Sequence, residues 1–156
     1  MAGGLQLSFL DIAFLLAPAL WAGLLVGVSF IATPAKFQAR SLSRPAALDV
    51  GRATFAVWNN VEWFILAGLV SMIFLTHADM FPVAGIGALI VLLMIQSLML
   101  LPLLNDRVVT IIAGGRPPPS SDHLIYIAID AIKLLILGAI IWKQSERIVS
   151  LFTLLR

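Results

Sequence analysis

The chain has 156 residues, 61% of them hydrophobic and 12% charged, with a formal net charge of +2 at pH 7. A soluble domain is typically about 45–50% apolar and about 25% charged, so this composition, with a mean hydropathy of +1.05, excludes an ordinary soluble fold and leaves room for one small membrane bundle without a second domain. Cysteine is absent, which excludes disulfides, thiolate metal sites and cysteine nucleophiles; the basic residues fall mainly in connections, so a pI near 9.5 gives no argument for nucleic acid.

Four apolar segments, at about 9–33, 54–76, 82–104 and 123–142, are each near the roughly 20 residues a bilayer span needs. The expected fold is an all-α integral membrane four-helix bundle with both termini on the same side. In the first segment, Ala17-Pro18-Ala19 resembles a leader cleavage site. However, no Lys or Arg precedes it, Asp11 lies early, and the apolar run continues to Ala32, so it reads as a retained helix. Asp11 is expected near the outer end of that helix, in contact with water. Ala19, Gly23 and Gly27 recur every four residues, a spacing that lets helix backbones approach closely in lipid. They serve either packing inside the bundle or a homodimer face. Pro34 is expected to end this helix, and the basic connection 34–52 is long enough for a short interfacial helix.

The second segment, RATFAVWNNVEWFILAGLVSMIFL, sets Asn59, Asn60 and Glu62 between Trp58 and Trp63. Trp21, Trp58 and Trp63 read as packing or lipid-facing residues rather than ligand stackers. A short connection around His77 makes the second and third helices an antiparallel hairpin. Asn105-Asp106-Arg107 is expected to end the third helix, and GGRPPPSS makes the next connection a stiff loop. After the fourth helix, Trp142 fits an interfacial anchor. The tail at about 144–156 reads as an amphipathic interfacial helix with Ile148, Leu151, Phe152 and Leu155 on one side.

Lys and Arg set the expected topology. Lys36, Arg40, Arg44, Arg52, Arg107 and Arg116 flank the first and third connections, against Lys143, Arg147 and Arg156 on the other side. Cytoplasmic loops carry the basic excess, so the 34–52 and 105–122 loops are expected in the cytoplasm of a bacterial inner membrane.

Ionisable groups inside a span are expensive and face protein or water. At about 1.5 Å per residue, Asn59 and Glu62 lie roughly 10–15 Å from the basic face, Asp130 and Lys133 roughly 12–17 Å, and Gln96 roughly 12 Å. Spacings of three and four put His123, Tyr126, Asp130 and Lys133 on one stripe, and Arg52, Asn59 and Glu62 on another. Ser29, Thr33, Lys36 and Arg40 make a third stripe. The expected site is therefore a buried polar cluster of Asn59, Glu62, Gln96, Asp130 and Lys133, with Lys36, Arg52, His123 and Tyr126 at its mouth. Asp130 and Lys133 can meet within one helix turn. Two carboxylates face one ammonium, so one carboxylate must be protonated, solvated or matched to a cation; Arg52 is a candidate to reach inward.

Other chemistry finds no support in the residues. No phosphate-cradling glycine loop, HExxH or GxSxG occurs. The two histidines, His77 and His123, are expected on opposite faces, which argues against a bis-histidine haem site within one chain. No metal site and no particular cofactor is implied. The leading expectation is a membrane protein that handles a small cation, a proton or a polar solute, with Asn59 and Gln96 as neutral ligating groups. A second is a non-catalytic subunit or assembly partner of a larger membrane complex, or a homo-oligomer. A third is an intramembrane enzyme with Glu62 or Asp130 as general acid and base.

At GVSFIATPAKF, followed by ALDVGRATFAVWNNVEW, the chain resembles the bacterial four-helix membrane family of unknown function related to the transmembrane-protein-205-like proteins. The layout W-x-G, G-x-x-F and P-x-x-F is matched by Trp21, Gly23, Gly27, Phe30, Pro34 and Phe37. In the fourth helix His123 corresponds to the histidine of that pattern, whereas Lys133 stands near the place of its asparagine and departs from it. The resemblance implies four helices and no established activity for the bacterial members.

Overall fold

All four apolar segments wind into helices longer than the sequence pattern indicates. The computed structural model describes residues 9–76 and 78–154, without the side chains of Phe152 and Leu154. His77, Leu155 and Arg156 lie outside the described residues, as does the side chain of Phe152 in the expected tail stripe. Every regular element described is helical. We name the four rods α1 (Phe9–Gln38), α2 (Arg44–Thr76), α3 (Met80–Ile112) and α4 (Asp122–Leu154). Each is long and apolar enough to cross a membrane.

Proline explains why two of these rods run past their expected ends. A proline inside a helix lacks an N–H and crowds the carbonyl four residues back. Pro18 sits within regular α-helix, whereas the chain widens just before Pro34 and Pro102. Val26–Ala32 is π-helical ahead of Pro34, and Gln96–Leu100 is π-helical ahead of Pro102. The amide of Thr33 bonds to the Val28 carbonyl, and the amide of Leu101 to that of Gln96, each five residues back. The Thr33 hydroxyl also donates to the Val28 carbonyl at 2.8 Å. Pro34 therefore does not terminate α1, and Asn105-Asp106-Arg107 does not terminate α3. No separate interfacial helix forms in 34–52, because α1 and α2 both extend into it. The tail likewise continues α4 to Leu154 rather than folding as its own helix.

The start of α2 and the end of α3 carry recognisable caps. Ser43 precedes α2, its Oγ accepting from the Ala46 amide at 3.4 Å, with Pro45 in the first turn, where a missing N–H costs nothing. α3 ends in a left-handed glycine, Gly114 at φ 82°. The Gly115 amide bonds to the Thr110 carbonyl at 2.9 Å and the Gly114 amide to that of Ile111 at 3.0 Å. This paired closure is the Schellman arrangement. A Cβ on Gly115 would come within 3.0 Å of the Thr110 carbonyl oxygen.

Neighbours in sequence pack side by side, and α4 closes the ring against α1. Asp11 near the start of α1 lies 3.7 Å from Arg147 near the end of α4, so those two ends meet. The Asp11 side chain is 13% exposed, not immersed in solvent as expected from its position. Each rod turns one stripe inward at spacings of three and four. Phe14, Trp21 and Leu25 of α1, Trp58, Leu66 and Leu69 of α2, Ile86, Leu89 and Leu93 of α3, and Leu137 and Ile140 of α4 form the main core. Tyr126, Ile129 and Leu100 form a smaller cluster towards the other end. The outside is apolar as well: Phe64, Phe74, Met80 and Leu135 are all at least 74% exposed.

Candidate functional site

The inward stripe of α2 runs Trp58, Glu62, Leu66, Leu69, and that of α4 runs Tyr126, Asp130, Lys133, Leu137. The same periodicity that builds the core thus carries three charges into it. Glu62, Asp130 and Lys133 are each 0% exposed, and Gln96 is 1% exposed. The Lys133 ammonium lies 2.5 Å from Glu62 Oε1 and 3.0 Å from Asp130 Oδ1. Gln96 Nε2 donates to Asp130 Oδ1 at 2.8 Å and to the Tyr126 carbonyl at 3.3 Å. Trp21 Nε1 donates to Glu62 Oε1 at 3.0 Å. All four rods contribute to this knot.

Its bookkeeping does not close. Two carboxylates share one ammonium, which leaves one negative charge in excess. Glu62 Oε2, Asp130 Oδ2 and Gln96 Oε1 are buried acceptors without a hydrogen-bond partner, and so are two groups able to donate, Trp58 Nε1 on α2 and the Ser29 hydroxyl on α1, which leaves acceptors in excess. Buried polar atoms are paired in the great majority of cases, and a half-paired network is costly in a low-dielectric interior.

Two cavities lie between this knot and the end of the bundle that bears the first and third connections. The smaller, about 170 Å³, has Ser29, Thr33, Phe55, Tyr126, His123 and Asp130 in its wall. The larger, about 440 Å³, is lined by Lys36, Arg44, Arg52, Arg107, His123 and Tyr126 together with Phe37, Phe55, Leu101 and Leu104. They share Thr33, Phe37, Phe55, His123 and Tyr126 as a common wall.

The sequence-derived residues are distributed as follows. Gln96, Asp130, Lys133 and Glu62 are joined in that order by a hydrogen bond and two ion pairs. Asn59 is half-buried beside them in sequence but bonded elsewhere: it accepts from Ser97, whose Oγ in turn accepts from Trp63 Nε1 at 3.0 Å. Lys36, Arg52, His123 and Tyr126 all line the larger cavity. Arg52 does not reach the excess carboxylate; it pairs with Asp49 at 2.8 Å on the exposed side of α2. The reason is local, since Asp49 stands three residues away on the same face. Ala19 and Gly23 face outward, and a Cβ on Gly23 or Gly27 would meet nothing within 4 Å. Ala19 and Gly23 therefore do not pack the bundle interior, while Gly27 is half-buried.

No family model, curated protein or solved structure matches the chain.

Three participants were not singled out from the sequence. Trp21 and Trp63 act as hydrogen-bond donors and not as packing alone. A buried indole N–H usually finds an acceptor, and that rule, applied to Trp21 at the depth of Glu62, is the signal that points to it. Ser97 stands next to Gln96 and joins α3 to α2 while Gln96 joins α3 to α4. Both sit in the π-helical turn, which has no clear signature beyond the following Pro102.

Proposed function

We propose that this chain is an integral membrane protein whose buried charged knot binds and releases a proton. The observation that carries this reading is the knot itself: two fully buried carboxylates on one ammonium, with one oxygen of each left without a partner. A single proton removes the excess charge. Placed on an orphaned carboxyl oxygen, it also supplies a donor to a site that has a surplus of acceptors. A metal cation fits less well, because the Lys133 ammonium already holds the inner oxygens at 2.5 and 3.0 Å and would repel it. No group of three or more metal-ligating side chains occurs among the described residues. The cavity bordering Asp130 offers water-sized space on the way to the basic end of the bundle. The excess of Lys and Arg at that end supports a cytoplasmic orientation for it, and the apolar exterior supports a lipid surround. The four-helix family that the sequence resembles belongs to this reading as its expected relationship.

The test is infrared difference spectroscopy on the protein in lipid, recorded as the pH is lowered. A protonated-carboxyl stretch that appears on acidification, and is lost in Glu62→Gln or Asp130→Asn, is the expected result. A spectrum with no titrating carboxyl in the wild type would refute proton binding and leave the knot as helix pairing. Native mass spectrometry of the same three proteins tests the alternative occupant, since a small solute held by the knot would disappear in the variants.

A second reading has one specific observation in its favour. Ala19 and Gly23 face outward, Gly27 is half-buried one turn on, and both glycines have open space around them, as a helix-docking face requires. Under that reading the chain is an assembly partner, and co-purification of a second copy or another membrane protein, lost in Gly23→Leu, would support it.

A further inference from the structure

The larger cavity has a lining that the proton site does not use. Lys36, Arg44, Arg52 and Arg107 converge on it from α1, α2 and α3, and no carboxylate is among its lining residues. Arg52 is already paired with Asp49. Among the described residues, Lys36, Arg44 and Arg107 have no carboxylate within ion-pair distance. The Lys36 ammonium is held at the wall by other means. It lies 5.3 Å from the centroid of the Phe37 ring and 5.7 Å from that of Phe55, and it occupies the space where a side chain on Gly51 would begin. Gly51 is buried, and a Cβ there would meet only the end of the Lys36 side chain, so a larger residue would push the lysine head out of this place. A cation parked over aromatic rings, facing two unpaired guanidinium groups across a cavity, is a charge arrangement without its counter-ion.

The rest of the lining decides what sort of anion fits. Phe37, Phe55, Leu101, Leu104, Val108 and Ile111 make most of the wall apolar. At about 440 Å³ the volume falls in the range of small-molecule sites, roughly 300–1,000 Å³, and is far larger than a bare oxyanion needs. We infer that this cavity binds an amphiphile with a phosphate head: Arg44, Arg107 and Lys36 hold the phosphate, and the apolar wall holds the attached chain. Guanidinium groups suit phosphate because two N–H donors meet two oxygens at once, whereas the lysine contributes a point charge. The same chemistry comes from two sources, a phospholipid of the surrounding leaflet or a soluble alkyl or prenyl phosphate. The inference concerns the mouth and is independent of whether the knot exchanges a proton.

The experiment uses the full chain in nanodiscs of zwitterionic phosphatidylcholine, with decyl phosphate as probe and native mass spectrometry as readout. The wild type is expected to retain a single decyl phosphate, saturably. Arg44→Gln with Arg107→Gln is expected to weaken binding by roughly tenfold or more, as loss of charged hydrogen bonds does. Gly51→Ala is expected to weaken it in the same direction, because the added Cβ displaces the Lys36 ammonium. Far-UV circular dichroism establishes that each variant is folded, and the two variants perturb different helices, so failure of one leaves the other as the test. Equal retention of decanol, or unchanged affinity in both folded variants, would overturn the inference. Inorganic phosphate binding as tightly as decyl phosphate would overturn the amphiphile. Nanodiscs doped with phosphatidic acid separate the sources: a retained lipid that decyl phosphate fails to displace assigns the site to the leaflet, and ready displacement assigns it to the soluble ligand.

Discussion

Replacing Lys133 by methionine tests the buried knot most directly. Methionine keeps much of the aliphatic volume and removes the charge. In the folded wild type the ammonium stands 2.5 Å from Glu62 and 3.0 Å from Asp130. At an effective dielectric constant of about 20, unit charges at such separations attract by roughly 6 kcal/mol each. Most of that gross attraction is offset, because taking each ion out of water costs several kcal/mol. The relevant magnitude is therefore the cost of leaving partners behind, about 3–5 kcal/mol for one buried partner removed. Here two carboxylates are left at 0% exposure, so the upper part of that range is expected. The assay is reversible unfolding by sodium dodecyl sulfate in mixed micelles, followed by far-UV circular dichroism. The decisive comparison adds Glu62→Gln and Asp130→Asn to Lys133→Met. The triple variant has no charge to leave unpaired and is expected to recover most of the loss. If Lys133→Met lies within about 1 kcal/mol of wild type, below the cost of a broken buried pair, or if the triple variant is as unstable as the single one, the electrostatic account of the knot is wrong.

Two smaller perturbations separate hydrogen bonding from packing. Trp21→Phe keeps a ring in the core but removes the 3.0 Å donor to Glu62 Oε1, which retains Lys133; a loss of about 1.5–3 kcal/mol is expected for one hydrogen bond to a charged acceptor, and an unchanged unfolding midpoint would show that the indole only fills space. Gly114→Ala places a Cβ on a residue at φ 82°, for which a cost of about 1–2 kcal/mol is expected. Amide hydrogen exchange should show it as faster exchange in the last turn of α3, and unaltered exchange there would argue against the left-handed closure.

Much of the architecture was legible in the chain because membrane-type helices advertise themselves. An apolar run of sufficient length has one economical solution when its backbone must satisfy its own hydrogen bonds, so four rods follow from four runs. The polar stripe on α4 was legible for a similar reason: His123, Tyr126, Asp130 and Lys133 are bound together by helical period alone, and the 3.0 Å contact of Asp130 with Lys133 is a local consequence of it. The depth of each group could also be counted, because rise per residue is fixed. That is why Glu62, Gln96, Asp130 and Lys133 could be brought to one level before any contact was known.

Rotation, partner choice and helix ends required the tertiary structure. Depth counting put Asn59 with Glu62, but one turn apart on α2 Asn59 meets Ser97 of α3 and Glu62 meets Lys133 of α4; sequence spacing does not say which neighbour stands opposite which face. Arg52 was free to reach inward on paper, and a nearer carboxylate, Asp49, holds it outside. Pro34 ended α1 by local rule, yet the chain keeps the helix by widening a turn, and the extended rod carries Lys36 and Phe37 to the wall of the larger cavity. The outward turn of Ala19 and Gly23 is likewise decided by the packing of Phe14, Trp21 and Leu25 on the opposite side of α1. The sequence thus determined that the molecule is four helices with charge in their midst, because period and length are local properties. Which oxygen meets the ammonium, and which oxygens meet nothing, was decided only when four rods fixed their rotations against one another.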